Sequence, residues 1–268
     1  MEAFYILTEA MYQSLWQGIW VYVVLKLTLV TFQKLPSACR YNLLYFGQTL
    51  IFCLFCYNIL SMADQMGQAS EVTHGSVSPA RAVAAPIANL SIRAAILSQA
   101  PLIGILYLLG LIIQSGLLIA GFVRIRTLSK EQETLPLIWY KKVNDWKTSL
   151  GIKGNITLVA GKRAGVFTAG FLKPIIYLPI TFFNDLTTEQ AEAILLHELA
   201  HIKRHDYLLN LIQKAIEVVM FFNPVSWVLG AEIRKEREFC CDDLVLRYTA
   251  DPEIYARALF ILEQTRAE

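Results

Sequence analysis

The sequence predicts a mainly α-helical integral membrane protein, with three N-terminal transmembrane helices followed by a cytoplasmic α+β domain. Three observations carry this. The composition is 55% hydrophobic with a mean hydropathy of +0.45 over 268 residues, too apolar for an ordinary soluble domain of that size. Three apolar stretches in the first half each reach the roughly 20 residues that a bilayer core requires. From about residue 129 the chain changes to amphipathic helices and short strands around the pentapeptide His197-Glu198-Leu199-Ala200-His201.

The first apolar stretch runs from Tyr12 to Gln33 and holds Trp16, Trp20 and Tyr22 among its aliphatics. Lys26 lies inside it, where its long stem can snorkel toward the helix end or line a polar interior; snorkelling is the favoured expectation. No lysine or arginine precedes this stretch and no small-residue cleavage site follows it, so a removable signal peptide is not expected. Residues 41–62 form a second span without a charged residue, and Pro101 to Val123 form a third. The 64–100 stretch between them is rich in Ala, Ser and Pro and free of aromatics, which leaves it unable to build a core.

Positive charge near the span ends sets the expected orientation. Lys34 and Arg40 fill the first connection, and Arg124, Arg126, Lys130, Lys141 and Lys142 follow the third span; these faces are expected in the cytoplasm. The 64–100 loop holds only Arg81 and Arg93, and the N-terminus holds Glu2 and Glu9 without a base, so both are expected outside. The resulting division is a membrane domain over 1–128, with its external loop at 64–100, and a cytoplasmic domain over 129–268. The net charge of +2 offers no polybasic face for direct nucleic-acid binding.

Within the second half, Trp139, Val143, Trp146 and Leu150 fall at helical spacing and Gly151 ends the pattern. Strands are expected at Ile156 to Ala160, Val166 to Ala169 and Ile175 to Leu178. The strand just before the next helix, Ile175 to Leu178, serves either as plain sheet core or as an edge along which an extended peptide adds by main-chain hydrogen bonds. Thr187 and Gln190 form a capping box for the following helix, and Ile194, Leu195, Leu199 and Ile202 supply its apolar stripe. Tyr207 to Phe222 is apolar but short and interrupted by Gln213, Lys214 and Glu217; it is expected as a helix packed within the domain or against the membrane surface. Asn223 and Pro224 then start the last long helix. The five cysteines show no paired metal-binding spacing, and reduced, apolar packing roles are expected for them.

The pentapeptide carries the chemistry. Helical residues four apart lie roughly 6 Å apart along the axis on one face, so His197 and His201 can share one metal ion, and zinc suits such a pair. Glu198 adjoins the first ligand and can take the proton of an attacking water, the general-base role in metal-assisted peptide hydrolysis. The bland alternative is a solvated helix end with incidental histidines. A third ligand is required. His205 lies about 12 Å along the axis from His197, too far on a continuous helix. Downstream, Glu238 and Asp242 share a helix face, so one carboxylate can bind the metal while the other holds a ligand imidazole. Glu238 is favoured as the ligand because the run turns apolar at Phe239, Cys240 and Cys241, and an inward carboxylate there requires a cation. Asp242 is then the orienting group. His205, Tyr248 and Tyr255 are all open as donors to a developing oxyanion.

The pentapeptide, followed by Lys203-Arg204-His205-Asp206, Asn223-Pro224 and Arg237-Glu238-x-x-Cys241-Asp242, resembles the BlaR/MecR-type family of membrane-embedded gluzincin peptidases. Gly170 to Pro179 is similar to that family's segment before the catalytic helix. The resemblance implies a gluzincin-like protease domain and a zinc endopeptidase in the bacterial inner membrane. It further implies that such an enzyme relays an external signal by cleaving itself or a cytoplasmic transcriptional repressor, and a homodimer is left open. The antibiotic-sensing members carry a fourth span and an external penicillin-binding domain. These 268 residues hold no Ser-x-x-Lys acylation motif, so β-lactam sensing is unsupported, and the signal is expected through the 64–100 loop, the spans, a partner or further chain. Two other readings stand beside this one. One is a non-catalytic signalling receptor with a structural zinc domain; the other is a housekeeping membrane protease of the prenyl-protein or quality-control type.

Overall fold

The computed structural model describes residues 2–72, 95–128, 135–161, 165–170, 173–179, 182, 186–249 and 251–267. Residues 73–94 of the 64–100 loop, Lys130, and Phe171-Leu172 of the segment before the pentapeptide's helix fall outside them. The described chain is mostly helical: α1 (Glu2–Thr31), α2 (Ser37–Val72), α3 (Ala100–Leu128), α4 (Leu137–Leu150), β1 (Thr157–Gly161), β2 (Phe167–Ala169), β3 (Ile175–Pro179), α5 (Thr188–Lys203), α6 (Asp206–Val219), α7 (Pro224–Tyr248) and α8 (Pro252–Ala267). It groups into two compact units. One holds residues 1–116 with 215–233, the other 117–214 with 234–268, so α3, α6 and α7 each continue from one unit into the other.

Glu2–Thr31 and Ser37–Gln65 of the first unit, and Ala100–Arg124, which runs on into the second beyond Gly116, are long and apolar enough to cross a membrane. Helix α1 begins ten residues before the apolar stretch, because its backbone hydrogen bonding continues through Glu2 and Glu9. Trp20, Leu27 and Ile112 are exposed, whereas Ala10, Ser14, Gln48 and Asn58 are buried, as expected where apolar solvent faces the bundle and polar groups must pair within it. Asn58 donates to Gln17 at 2.9 Å, and Asn223 donates to the Ser14 carbonyl at 3.1 Å. Gly47 and Gly110 permit close helix approach, since a Cβ at either would collide with Leu25 or Phe221.

Lys26 pairs with Glu232 of α7 at 2.5 Å, and the Tyr22 hydroxyl donates to the same carboxylate oxygen at 3.3 Å. The lysine thus has a specific carboxylate partner while its side chain stays 41% exposed. The end of α6 and the following turn pack among the spans: Tyr107 donates to the Val219 carbonyl at 3.2 Å and stacks on Phe221. Asn223 caps α7, with its Oδ1 accepting from the Val225 N–H at 3.0 Å.

The second unit is built on a three-stranded sheet of order β1-β3-β2, with β1 parallel and β2 antiparallel to the central β3, so the strand before α5 is paired on both sides and is sheet core, not an edge. Its core joins Trp139, Val143 and Leu150 of α4, Ile176 and Leu178 of β3, Ile194, Leu195 and Leu199 of α5, and Tyr255 and Ala258 of α8. Helix α4 ends at Gly151, whose φ of 68° is the left-handed conformation that closes a helix. The Thr187/Gln190 capping box is formed in both directions and starts α5. Helix α5 stops at Arg204, and the chain turns through His205 at φ 57°, a left-handed position rare for a side-chain-bearing residue.

Candidate metal centre

Helix α5 buries most of one face against the sheet and α8, and it carries His197 and His201 at the edge of that buried face. Their rings lie 4.9 Å apart at 83°. Glu238 approaches from α7, and its Oε2 stands 3.5 Å from Nε2 of each histidine. These three atoms lie within 4.8 Å of one another. Hydrogen bonds between such groups are shorter, close to about 2.8 Å. A separation of 3.5 Å instead fits the edge of a tetrahedron whose bonds are about 2.0–2.1 Å, which is about 3.3 Å. The donor set of two imidazoles and one carboxylate thus fits zinc in number, type and spacing.

The remaining ring nitrogens are held from behind. His197 Nδ1 lies 2.7 Å from the Tyr255 hydroxyl, which itself donates to Asp242 Oδ1 at 2.6 Å. The Tyr255 oxygen therefore accepts from Nδ1–H, and the Nε2 lone pair is left for the metal. His201 Nδ1 lies 2.8 Å from Asp206 Oδ2, which fixes the same tautomer. Asp206 is buried, and Arg204 Nε at 3.3 Å and the Cys241 thiol at 3.4 Å both donate to it.

The electrostatics follow from this crowding of carboxylates on imidazoles. Burial opposes charge on His197, yet Asp242 and Glu238 outweigh it and raise its pKa to about 9. Burial likewise opposes charge on His201, and Asp206, Cys241 and Glu238 raise its pKa well above the ordinary value. Burial would raise the Glu238 pKa, but the two histidines hold it far below the usual carboxylate range. Burial pushes the Cys241 thiol up to about 11, so it stays protonated as a donor.

A cleft of about 470 Å³ opens over this cluster, lined by His197, Glu198, His201, Glu238 and Asp242 together with residues of β2. Glu198 is buried at its inner wall, and Thr168 of β2 donates to its Oε2 at 2.5 Å. The structure thus brings the four residues of the expected reaction centre to one cleft, with Asp242 behind His197 through Tyr255. The three residues left open as oxyanion donors lie elsewhere or are committed. Tyr248 packs edge-on against Trp146, His205 lines a neighbouring hollow, and the Tyr255 hydroxyl is engaged on both sides. Asp206 and Thr168 hydrogen-bond to His201 and Glu198 from positions whose part in the cluster motif spacing does not announce. For Asp206 the available signal is its place directly after the turn that ends α5.

A family model of the BlaR1 peptidase M56 matches residues 8–267, and the chain belongs to that family. Over 92 residues, 34% of this chain, it is 37% identical to the regulatory protein BlaR1 of Bacillus licheniformis. Over 78 residues, 29% of the chain, it is 31% identical to the methicillin resistance mecR1 protein of Staphylococcus aureus. These matches cover 15% and 13% of the respective relatives. Among solved structures, Ste24p of S. mikatae aligns over 100% of this chain and 92% of its own at 13% identity, with a TM-score of 0.31, too low to carry an argument.

Proposed function

We propose that this chain is a membrane-bound zinc-dependent endopeptidase of transmembrane signalling, cleaving itself, a cytoplasmic transcriptional repressor, or both in response to an external signal. The observation that carries it is the meeting of His197 Nε2, His201 Nε2 and Glu238 Oε2 over a cleft whose wall is Glu198. Membership of a peptidase family and three helices apolar enough to span support it. The charge distribution around the spans favours a bacterial plasma-membrane protein with its N-terminus outside and a gluzincin-like domain in the cytoplasm, drawn from 129–268 apart from Ala215–Ile233, which groups with the spans.

His197, His201 and Glu238 would hold the zinc ion, which supplies a Lewis acid toward a water and a scissile carbonyl. Glu198 takes the proton of the attacking water and returns it to the leaving amine. Thr168 holds one oxygen of Glu198 by hydrogen bond and leaves the other to carry that proton. Asp206, and Tyr255 with Asp242, keep both imidazoles in the ligating tautomer. On its other side from β3, strand β2 has no further strand among the described residues, so an extended substrate adding along β2 is led past Thr168 to Glu198.

The test compares wild type and Glu198→Gln in liposomes, with zinc content measured in both and cleavage of the chain and of a peptide library followed. Wild type is expected to cut, and the variant to retain zinc while losing at least about 10²-fold in rate. Equal cutting by both would remove Glu198 from the mechanism. Zinc in both with cutting by neither would favour a signalling receptor.

A further inference from the structure

A hollow of about 380 Å³ adjoins the cleft over the metal cluster, within the same unit, and Thr168, His201 and Tyr207 line both. Its lysines come from two helix ends. Lys203 lies in the last turn of α5, and Lys153 follows the Gly151 stop of α4. The carbonyls at these ends are already bonded: the Gly151 and Ile152 N–H groups donate to Thr148 and Lys147, and those of Arg204 and His205 donate to Ala200 and Ile202. Neither lysine is therefore required as a cap. Both are exposed, and no aspartate or glutamate stands among the described lining residues. The sign of charge thus changes between the two spaces, since the cleft carries Glu198, Asp206, Glu238 and Asp242. Strand β2 starts at Phe167 on the cleft and leads into Gly170 on the hollow.

We propose that this hollow is a substrate subsite, taking an acidic side chain carried a few residues before the scissile bond. The proposal rests on the proteolytic reading above, with the substrate added along β2. Antiparallel addition is the more stable sense per residue. It sets the substrate against the direction of β2, so the residues before the cut pass over Gly170 and the hollow while the scissile bond lies near Thr168 and Glu198. There a carboxylate gains the ammonium groups of Lys153 and Lys203, and its methylene stem lies on Leu150, Ile152 and Ile202. A lysine or arginine at the same place meets like charge with no acid to receive it. Selection therefore acts through attraction of one charge and rejection of the other.

The test uses the full chain with zinc in phosphatidylcholine nanodiscs, and a peptide library in which each position on either side of the cut carries Glu, Gln or Lys in turn. Wild type is expected to cut peptides with Glu before the cut about threefold to tenfold better in kcat/KM than those with Gln, and those with Lys less well still. The joint variant Lys153→Glu with Lys203→Glu is expected to reverse this order at unchanged zinc content, an outcome that misfolding does not produce. The same order is expected in the Kd of these peptides for Glu198→Gln, read by fluorescence anisotropy. Cutting without a charge preference, a preference that survives the charge reversal, or one confined to positions after the cut overturns the proposal and leaves the proteolytic reading standing. Cutting of no peptide by wild type overturns the proteolytic reading itself, and the subsite with it.

Discussion

The two histidines proposed as metal ligands are held by unequal partners, and the difference is measurable. His201 leans on the buried carboxylate of Asp206 at 2.8 Å, whereas His197 leans on the Tyr255 hydroxyl, with Asp242 at 3.3 Å able to replace it. Asp206→Asn is therefore expected to lower zinc affinity by about 10- to 100-fold, and Tyr255→Phe by only a few-fold. Competition against a chelator of known affinity measures both, and unchanged affinity in Asp206→Asn would mean that His201 is oriented otherwise. The histidines and Glu198 were legible in the sequence because their relation is one of helical period alone. Asp206 was not, since its reach depends on the left-handed turn at His205. Thr168 was not, because a strand residue thirty positions upstream meets Glu198 only through tertiary packing.

Helix ends and strands were legible for local reasons. The capping box at Thr187 and Gln190, the Gly151 stop and the Asn223 cap are each written within four residues of the boundary they make. Thr187→Ala is expected to cost about 1 kcal/mol in unfolding of the second unit, seen as a lowered Tm with zinc content unchanged. The start of α1 was less legible, because hydropathy reports which residues suit lipid and not where hydrogen bonding begins. Lys26 illustrates the same limit, since its partner Glu232 lies more than two hundred residues away. Lys26→Met leaves Glu232 without its cation and is expected to destabilise the chain in detergent by on the order of 1 kcal/mol. Adding Glu232→Gln should recover much of that loss. A double variant no more stable than the single one would show that the pair contributes nothing beyond packing of its stems.

At the scale of the whole molecule, the grouping of Ala215–Ile233 with the spans is a matter of long-range packing that composition does not mark. What the chain as a whole does with a metal depends on protons. In the metal-free fold, the carboxylates around His197 raise its pKa to about 9 and raise that of His201 as well. A ligating imidazole must be neutral, so zinc binding near pH 7 has to expel one to two protons, and apparent affinity should fall by about ten- to a hundredfold for each unit of acidification. The metal-free chain has the opposite dependence. A folded pKa raised above the unfolded value contributes stability that is full below about 6.5 and is lost as pH rises through about 9. Thermal unfolding of Glu198→Gln, chosen because the proposed self-cleavage is not expected in it, with and without chelator from pH 6 to 9 resolves the two. The gap in Tm between zinc-loaded and chelated protein should widen as pH rises. A gap that stays constant or narrows would mean that protons and metal do not compete for His197 and His201, and the ligand set would have to be sought elsewhere.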